Sequence, residues 1–414
     1  MILDRTTFYA EGGGQESDEG VIEVGGGTFA VKDCQVFGGY VMHVGTLNSG
    51  IKVGDEAVTV VDEERRIDLA SHHTMTHVLN YALRKVLEGD VDQRGSLVAS
   101  DKLRFDFTAK KALTVDQVRE VGRICKEQIS EERVVYDEVV RLGDAQMVSG
   151  IRAVFGETYP DPVRVVSVGQ PVSDLTQLDA GLASIEFCGG THLGNLKSAE
   201  DFVITEETAV AKGVRRIVAV TRGGARKCRE NERRVGALLE KVEATLIGEN
   251  AVSLRKELDA SFMCSAAKSE MRGRLEAVQK KIVEGRKAEA GKRLNGVLGE
   301  VTEAVVGKDV VCIKFVGIEA KGSQKIAEIV RKVNPACSFF GIIESEDEEG
   351  KVACFASVPD GRAVAANKWV NEVLGRFGGM GGGKEGFAQG QARGCKSEEV
   401  IKVALEVGSG NRIS

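Results

Sequence analysis

Ser71-His72-His73-Thr74-Met75-Thr76-His77-Val78-Leu79-Asn80-Tyr81-Ala82-Leu83-Arg84-Lys85-Val86-Leu87 is the stretch from which the rest of the chain is best read. Met75, Val78, Leu79, Ala82, Leu83 and Val86 recur with the period of an amphipathic helix, and Gly89 stands where such a helix would stop. His73 and His77 lie four positions apart, about 40° around the axis and one turn along it, so both imidazoles share a face. That face is away from the stripe centred on Ala82, Val86 and Leu79. His72 points toward the apolar side and has Thr76, a non-ligand, one turn on, so it takes a structural role. His43, in a strand-like run, takes the same reading.

A second cluster completes the pattern: in Cys188-Gly189-Gly190-Thr191-His192 a thiol and an imidazole flank two glycines that let both converge. Three histidines and one cysteine favour zinc. Each pair alone is weak; together His73, His77, Cys188 and His192 make a candidate metal site. Thr74 follows His73 where a zincin carries its glutamate base, which argues against a metalloprotease.

Around this centre the chain divides by texture. Residues 1–70 are short β-rich runs broken by Gly12-Gly13-Gly14, Gly25-Gly26-Gly27 and Gly38-Gly39, a small twisted barrel or sheet. Residues 71–224 follow as an α+β domain, with strands at Leu103–Phe107, Val163–Val168, Ile185–Phe187 and Val214–Thr221 and a helix near Val115–Glu132. From 225 to 300 proline is absent and charges alternate with Leu, Val and Ala, as in a helical, coiled-coil-like connector. Residues 301–414 alternate strand and helix, giving a small α/β domain that carries Gly381-Gly382-Gly383-Lys384. The expected class is α+β.

The 414 residues suit two or three domains, and no run approaches the roughly 20 apolar residues of a membrane span. No targeting signal is visible at the start of this sequence. Nine cysteines without a CxxC pair point to a reducing compartment, with cytoplasm the expected location. A net charge of -6 gives no global attraction for nucleic acid, so RNA binding would need local basic patches.

His73-Thr74-Met75-Thr76-His77 with Phe187-Cys188-Gly189-Gly190-Thr191-His192 resembles the zinc site of alanyl-tRNA synthetase editing domains and the free-standing AlaX editing proteins. Leu3 to Gln15 resembles the family's glycine motif; Asp92 to Val98, Leu103 to Phe107 and Lys212 to Ile217 match as well. Gly381 to Lys384 with Ala388-Gln389-Gly390 is similar to the glycine-rich signature of the C-Ala domain, and the cytoplasmic eukaryotic form is the nearest in kind. The resemblance implies zinc-dependent hydrolysis of Ser-tRNA(Ala) and Gly-tRNA(Ala), with tRNA(Ala) as partner and a homodimer through the C-terminal domain as an option. The chemical need is a second sieve, since a pocket sized for alanine discriminates against glycine or serine by only about 1–3 kcal/mol.

Nothing resembles the class II ATP and alanine site, so alanine activation by this chain alone is not expected, and the start within the glycine motif suggests a fragment. Thr76, Gln93 and Gln15 are candidates for orienting the serine hydroxyl or attacking water, with Gln93 in a polar turn. Arg215 and Arg216, opening an alternating strand, are candidates for acceptor phosphates. Gly382, Gly383 and Lys384 could offer an anion-binding nest, although the order is not that of a nucleotide P-loop. Two other functions compete: a non-enzymatic tRNA-binding or dimerisation fragment with structural zinc, and a DHH-type phosphodiesterase. The second lacks the required aspartate cluster.

Overall fold

A computed structural model describes the chain apart from residues 88–90, 149–150, 153–158, 178–183, 319–320, 345–349 and 410–414. It falls into two compact units, Met1–Val278 and Gln279–Ser414. The expected stop at Gly89 lies outside the described residues.

The first unit begins with β1 (Gly20–Val24), β2 (Gly27–Phe37), β3 (Tyr40–Leu47) and β4 (Ala57–Val61). They form an antiparallel sheet in the order β3-β2-β1-β4, open rather than closed into a barrel. Strand alternation turns Ile22, Val24, Phe29 and Val31 inward, an irregularity between Val31 and Asp33 brings Cys34 to the same side, and Phe8 joins them.

Helix α1 (Glu63–Leu87) starts eight positions before the expected Ser71, with Glu63 and Glu64 in its first turn and Arg84 and Lys85 in its last. Its length is set by what it crosses. Arg65 bonds Glu16 at 2.9 Å and Arg66 pairs with buried Asp18, tying the helix start to the segment after the glycine motif. From Leu69 to Leu83 every residue is buried, so the polar side of the wheel does not meet solvent but packs within the unit.

Strands β5 (Gln93–Val98) and β6 (Leu103–Thr108), helix α2 (Val115–Ser130), strand β7 (Val135–Val140), short helix α3 (Leu142–Gln146) and strands β8 (Val163–Val168) and β9 (Ser184–Phe187) follow. Then come β10 (Phe202–Ala211) and β11 (Val214–Thr221). Strands β10-β11-β6-β5 make one antiparallel sheet, and β7-β8-β9 another among the described residues. Helix α2 starts where Thr114 and Gln117 satisfy each other's backbone N–H groups. Phe105 and Phe107, fully buried, pack with Leu79, Leu83, Val121, Phe202 and Ile217. Burial of each such aromatic contributes about 1.5–3 kcal/mol.

The glycine motif runs beside β5. Val98 N–H donates to Gly14 O at 2.7 Å and Glu16 N–H to Val98 O at 3.0 Å. At Gly14, φ is +81° and a Cβ would lie 2.8 Å from Ser96 O, so the close approach admits only glycine.

The expected helical connector is α4 (Arg222–Thr245), α5 (Gly248–Ala260) and α6 (Ser265–Val305). Ion pairs Arg234–Glu257, Arg255–Glu276 and Arg274–Glu243 cross-link these helices.

In the second unit, β12 (Val310–Val316), α7 (Gly322–Val333), β13 (Ser338–Glu344), β14 (Lys351–Ser357), α8 (Ala366–Gly375), β15 (Met380–Gly383), β16 (Phe387–Arg393) and α9 (Ser397–Gly408) follow the expected alternation closely. The sheet order is β12-β13-β14-β16-β15, with β12 and β13 parallel. Trp369, Val370 and Val400 cover one face around Phe340; Ile326, Val330 and Val305 cover the other around Phe339 and Phe355. Among the described residues no helix is long and apolar enough to cross a membrane.

Candidate metal centre and its cavity

One donor atom from each of His73, His77, Cys188 and His192 lies within 4.8 Å of every other. The helix supplies the first pair, with rings stacked 5.3 Å apart, and the loop after β9 supplies the second. His73 Nε2 and His192 Nε2 each approach Cys188 Sγ to 3.2 Å.

The opposite nitrogen of each histidine is held by an oxygen. His73 Nδ1 is 2.6 Å from Gln15 Oε1, which also accepts from the backbone N–H of Thr191 at 3.0 Å and is thereby fixed as the amide oxygen. Thr74 Oγ1 donates to Ala70 O and accepts from Leu193 N–H, so it accepts from His192 Nδ1 at 3.1 Å. His77 Nδ1 pairs with Glu186 Oε2. Each ring thus presents Nδ1 to an oxygen, as a hydrogen bond for His73 and His192 and as an ion-pair contact for His77, the outer shell expected of metal-ligating histidines.

These residues fit a zinc ion. Both ring nitrogens of His77 are buried without a hydrogen bond, Nδ1 meeting Glu186 only as an ion pair, and the donor set is nitrogen and sulfur. Burial opposes ionisation of Cys188, but the neighbouring charges of His73 and His77 and hydrogen bonds from His192 and His73 hold its thiol far below the usual range. Burial disfavours the charged form of His77, yet Glu186 and Cys188 outweigh it and raise its pKa to about 10. Burial lowers His192 to about 3. The centre is thus a thiolate beside a proton that a cation can replace.

The loop is pinned from behind. Arg164 on β8 donates to Gly190 O at 2.6 Å and Cys188 O at 3.3 Å while pairing with Asp137. A Cβ at Gly190 would lie 2.1 Å from His73 Cε1, so the loop reaches the histidine only with glycine there.

A cavity of about 720 Å³ opens onto His73, His77 and Cys188. Its walls also include Tyr9, Thr76, Gln93, Arg94, Ser96 and the backbone of Gly12 to Gly14. Thr76 Oγ1 donates to His72 O at 2.9 Å, leaving its lone pairs for a guest. Gln93 is the first residue of β5 rather than part of a turn, and its amide bonds Ser96 Oγ at 3.2 Å. Gln15 is fully buried, its amide taken up by His73 and Thr191, with Nε2 donating to Thr191 Oγ1 at 2.8 Å. That geometry suits holding a ligand ring more than touching a substrate.

Residues 1–65 match the model described as tRNA synthetases class II (A), residues 163–218 the threonyl and alanyl tRNA synthetase second additional domain, and residues 307–408 the DHHA1 domain. The cytoplasmic alanine–tRNA ligase of Dictyostelium discoideum is 37% identical over 436 residues, covering 99% of this chain and 46% of the relative. That of Bombyx mori is 38% identical over 434 residues, covering 98% and 45%. The mitochondrial alanine–tRNA ligase of Saccharomyces cerevisiae is 50% identical over 227 residues, covering 53% and 23%.

The matches run to alanine–tRNA ligases over nearly the whole chain. The chain spans less than half the length of these relatives, 46% of the Dictyostelium protein. The match of residues 1–65 to a class II synthetase model was not foreseen from the sequence, where that stretch was tied only to the glycine motif. The second additional domain segment contains Cys188 and His192, whereas His73 and His77 lie outside it.

Elsewhere in the chain, the expected phosphate contacts take a different form. Arg215 makes two 2.6 Å bonds to Glu207, and Arg216 bonds Asp106 at 2.7 and 2.8 Å. Neither presents an unneutralised guanidinium, because β10 and β6 place a carboxylate beside each. Gly382 and Gly383 form an edge strand against β16 rather than a nest, while Lys384 beside them is exposed. His72 is structural as expected: its Nδ1 faces Ala99 O at 2.8 Å and its Nε2 accepts from Thr221 N–H at 3.2 Å. His43 bonds Thr6 and Met1 O. Sequence reading passed over Glu186 and Arg164, although each is the one charge in its strand, and the alternation puts Glu186 on the same side as Cys188.

Proposed function

We propose that the Met1–Val278 unit deacylates mischarged tRNA(Ala), cutting the ester of Ser-tRNA(Ala) and Gly-tRNA(Ala), with zinc held by His73, His77, Cys188 and His192. The observation that carries this reading is the cavity, with Thr76, Gln93 and Ser96 in its wall, that opens onto a cluster of three imidazoles and one thiol. The matches to alanine–tRNA ligases support the substrate class.

When bound, zinc supplies a fixed positive charge beside the aminoacyl group. With four protein ligands it has no open position and acts mainly as organiser. The protein's own groups then perform the selection. Thr76 Oγ1 and the Gln93 amide face the cavity and can hold the serine hydroxyl or the attacking water. Gly13 and Gly14 let the backbone close on the terminal adenosine. Serine is accepted because its hydroxyl can hydrogen-bond these groups and glycine because it leaves their hydration in place, whereas alanine offers a methyl group that desolvates them without a hydrogen bond.

Exposed Lys384 is the proposed tRNA contact of the second unit, next to Gly382 and Gly383; Arg215 and Arg216 would reach phosphates only by exchanging their carboxylate partners. The relatives' names support a cytoplasmic setting, and a homodimer through the second unit is part of the same proposal. Metal analysis together with Ser-tRNA(Ala) deacylation tests it: wild type should carry one zinc and release serine, and Cys188→Ala should lose both. A Cys188→Ala protein with full zinc and full activity would overturn the assignment; zinc without deacylation would favour a non-enzymatic tRNA-binding role.

A further inference from the structure

Among the described residues, Glu186 is the carboxylate that touches a ring of the four candidate ligands, and it is itself held by two further side chains. It lies in the middle of β9 with only 8% exposure. Oε2 faces His77 Nδ1, while Oε1 accepts from Asn80 Nδ2 at 3.1 Å and lies 3.5 Å from Arg152 Nη1. Asn80 stands three positions after His77 on α1, so helix geometry stacks it over the same face. Arg152 is brought in by the backbone: its N–H donates to Ile185 O and its carbonyl accepts from Phe187 N–H, both at 3.0 Å, bracketing Glu186.

A buried carboxylate needs compensation, and this one has a guanidinium and an amide on one oxygen, leaving the other for a single task. We infer that Glu186, braced by Asn80 and Arg152, is a positioning residue that fixes the His77 ring with Nδ1 protonated and its Nε2 lone pair directed at the metal. The inference rests on the reading that the cluster holds zinc. Its chemistry differs from the braces on His73 and His192, where Gln15 and Thr74 accept as neutral dipoles. A full negative charge makes the His77 nitrogen a better donor to a cation, and loss of such outer partners typically weakens metal affinity by about 10- to 100-fold.

Glutamine at 186 is a sharp probe. Its oxygen can still accept from His77 Nδ1, but its NH2 would then meet Asn80 Nδ2 and Arg152 Nη1, donor against donor. Zinc affinity of the full chain, read by competition with a chromophoric chelator, should fall about 10- to 100-fold in Glu186→Gln and in Glu186→Ala. The visible spectrum of the cobalt(II)-loaded protein should shift, because the His77 ligand is reoriented. Asn80→Ala, which keeps the carboxylate and removes one brace, should give a smaller loss in the same direction and carries the test if Glu186→Gln fails to fold. Wild type that binds zinc while folded Glu186→Gln and Asn80→Ala match its affinity and cobalt spectrum overturns the inference alone. Wild type that binds no zinc overturns the metal reading beneath it.

Discussion

His73 Nδ1 lies 2.6 Å from Oε1 of Gln15, fifty-eight positions earlier in the chain. The contact joins the glycine motif to the long helix at the point where a ligand ring must be aimed. The same oxygen also satisfies Thr191 N–H, so one buried amide aligns both halves of the cluster.

Gln15→Ala should therefore act on structure before chemistry. It strips the acceptor from two buried donors, a cost of about 1–3 kcal/mol each at most. The melting temperature should drop and zinc should exchange faster with a chelator. A variant with unchanged melting and zinc retention but lower deacylation would return Gln15 to a direct catalytic role.

Gln93→Ala should behave in the opposite way. Its side chain is half-buried at the cavity wall and bonds only Ser96. Deacylation of Ser-tRNA(Ala) should slow while the melting temperature stays nearly constant, since removal leaves no buried group stranded. Equal losses in both measurements would make Gln93 a structural residue of β5.

Gly190→Ala should abolish zinc retention without removing a ligand. The added carbon would sit 2.1 Å from His73 Cε1 and 2.8 Å from Gln15 Oε1, so the loop or the ring must move. Stoichiometric zinc in purified Gly190→Ala would show that the loop has slack this geometry does not reveal. By contrast Gly189→Ala, with no atom within 4 Å of its added carbon, is the control expected to retain the metal.

Asp201 gives a pH prediction away from the cavity. Burial raises its pKa, but Arg229 at 3.0 Å, with Lys126 and the Phe202 N–H, outweighs that and holds the carboxyl below its usual 3.8. A depressed carboxyl contributes stability that is present above the unfolded pKa and is lost as pH falls through the folded one. Asp201→Asn should be less stable than wild type at about pH 7, and the gap should close below about pH 4. Melting curves across that range check it; a constant gap would assign the effect to packing.

How far the sequence carried is clearest at the metal cluster itself. His73 and His77 were legible because four-residue spacing on a helix is local geometry, and Cys188 with His192 because two glycines make a loop that can fold back. Gln15 and Thr74 were not legible as ring holders, since their partners lie 58 and 118 positions away. The helix was expected from Ser71 but begins at Glu63, because Arg65 and Arg66 find carboxylates after the glycine motif that periodicity alone cannot display. Arg215 looked like a free cation because β10, which delivers Glu207, was not recognised as a strand, and Arg216 did because nothing local shows that β11 pairs with β6 in the register that brings Asp106 opposite it. In the second unit the alternation of strand and helix was plain, whereas the run from Gly381 to Gly383 looked like a nest and became a strand once Ala388 to Gly390 lay alongside.

The two ligand pairs also have a topological consequence. His73 and Cys188 are 115 positions apart, and the intervening chain includes β5 through β9. An ion gripping both ends would make that whole span a closed loop, much as a covalent tie would, and the entropy removed from the unfolded chain grows with the logarithm of its length. Chelation would then be felt most by a protease: cleavage sites throughout the looped span should open together, including those far from any ligand.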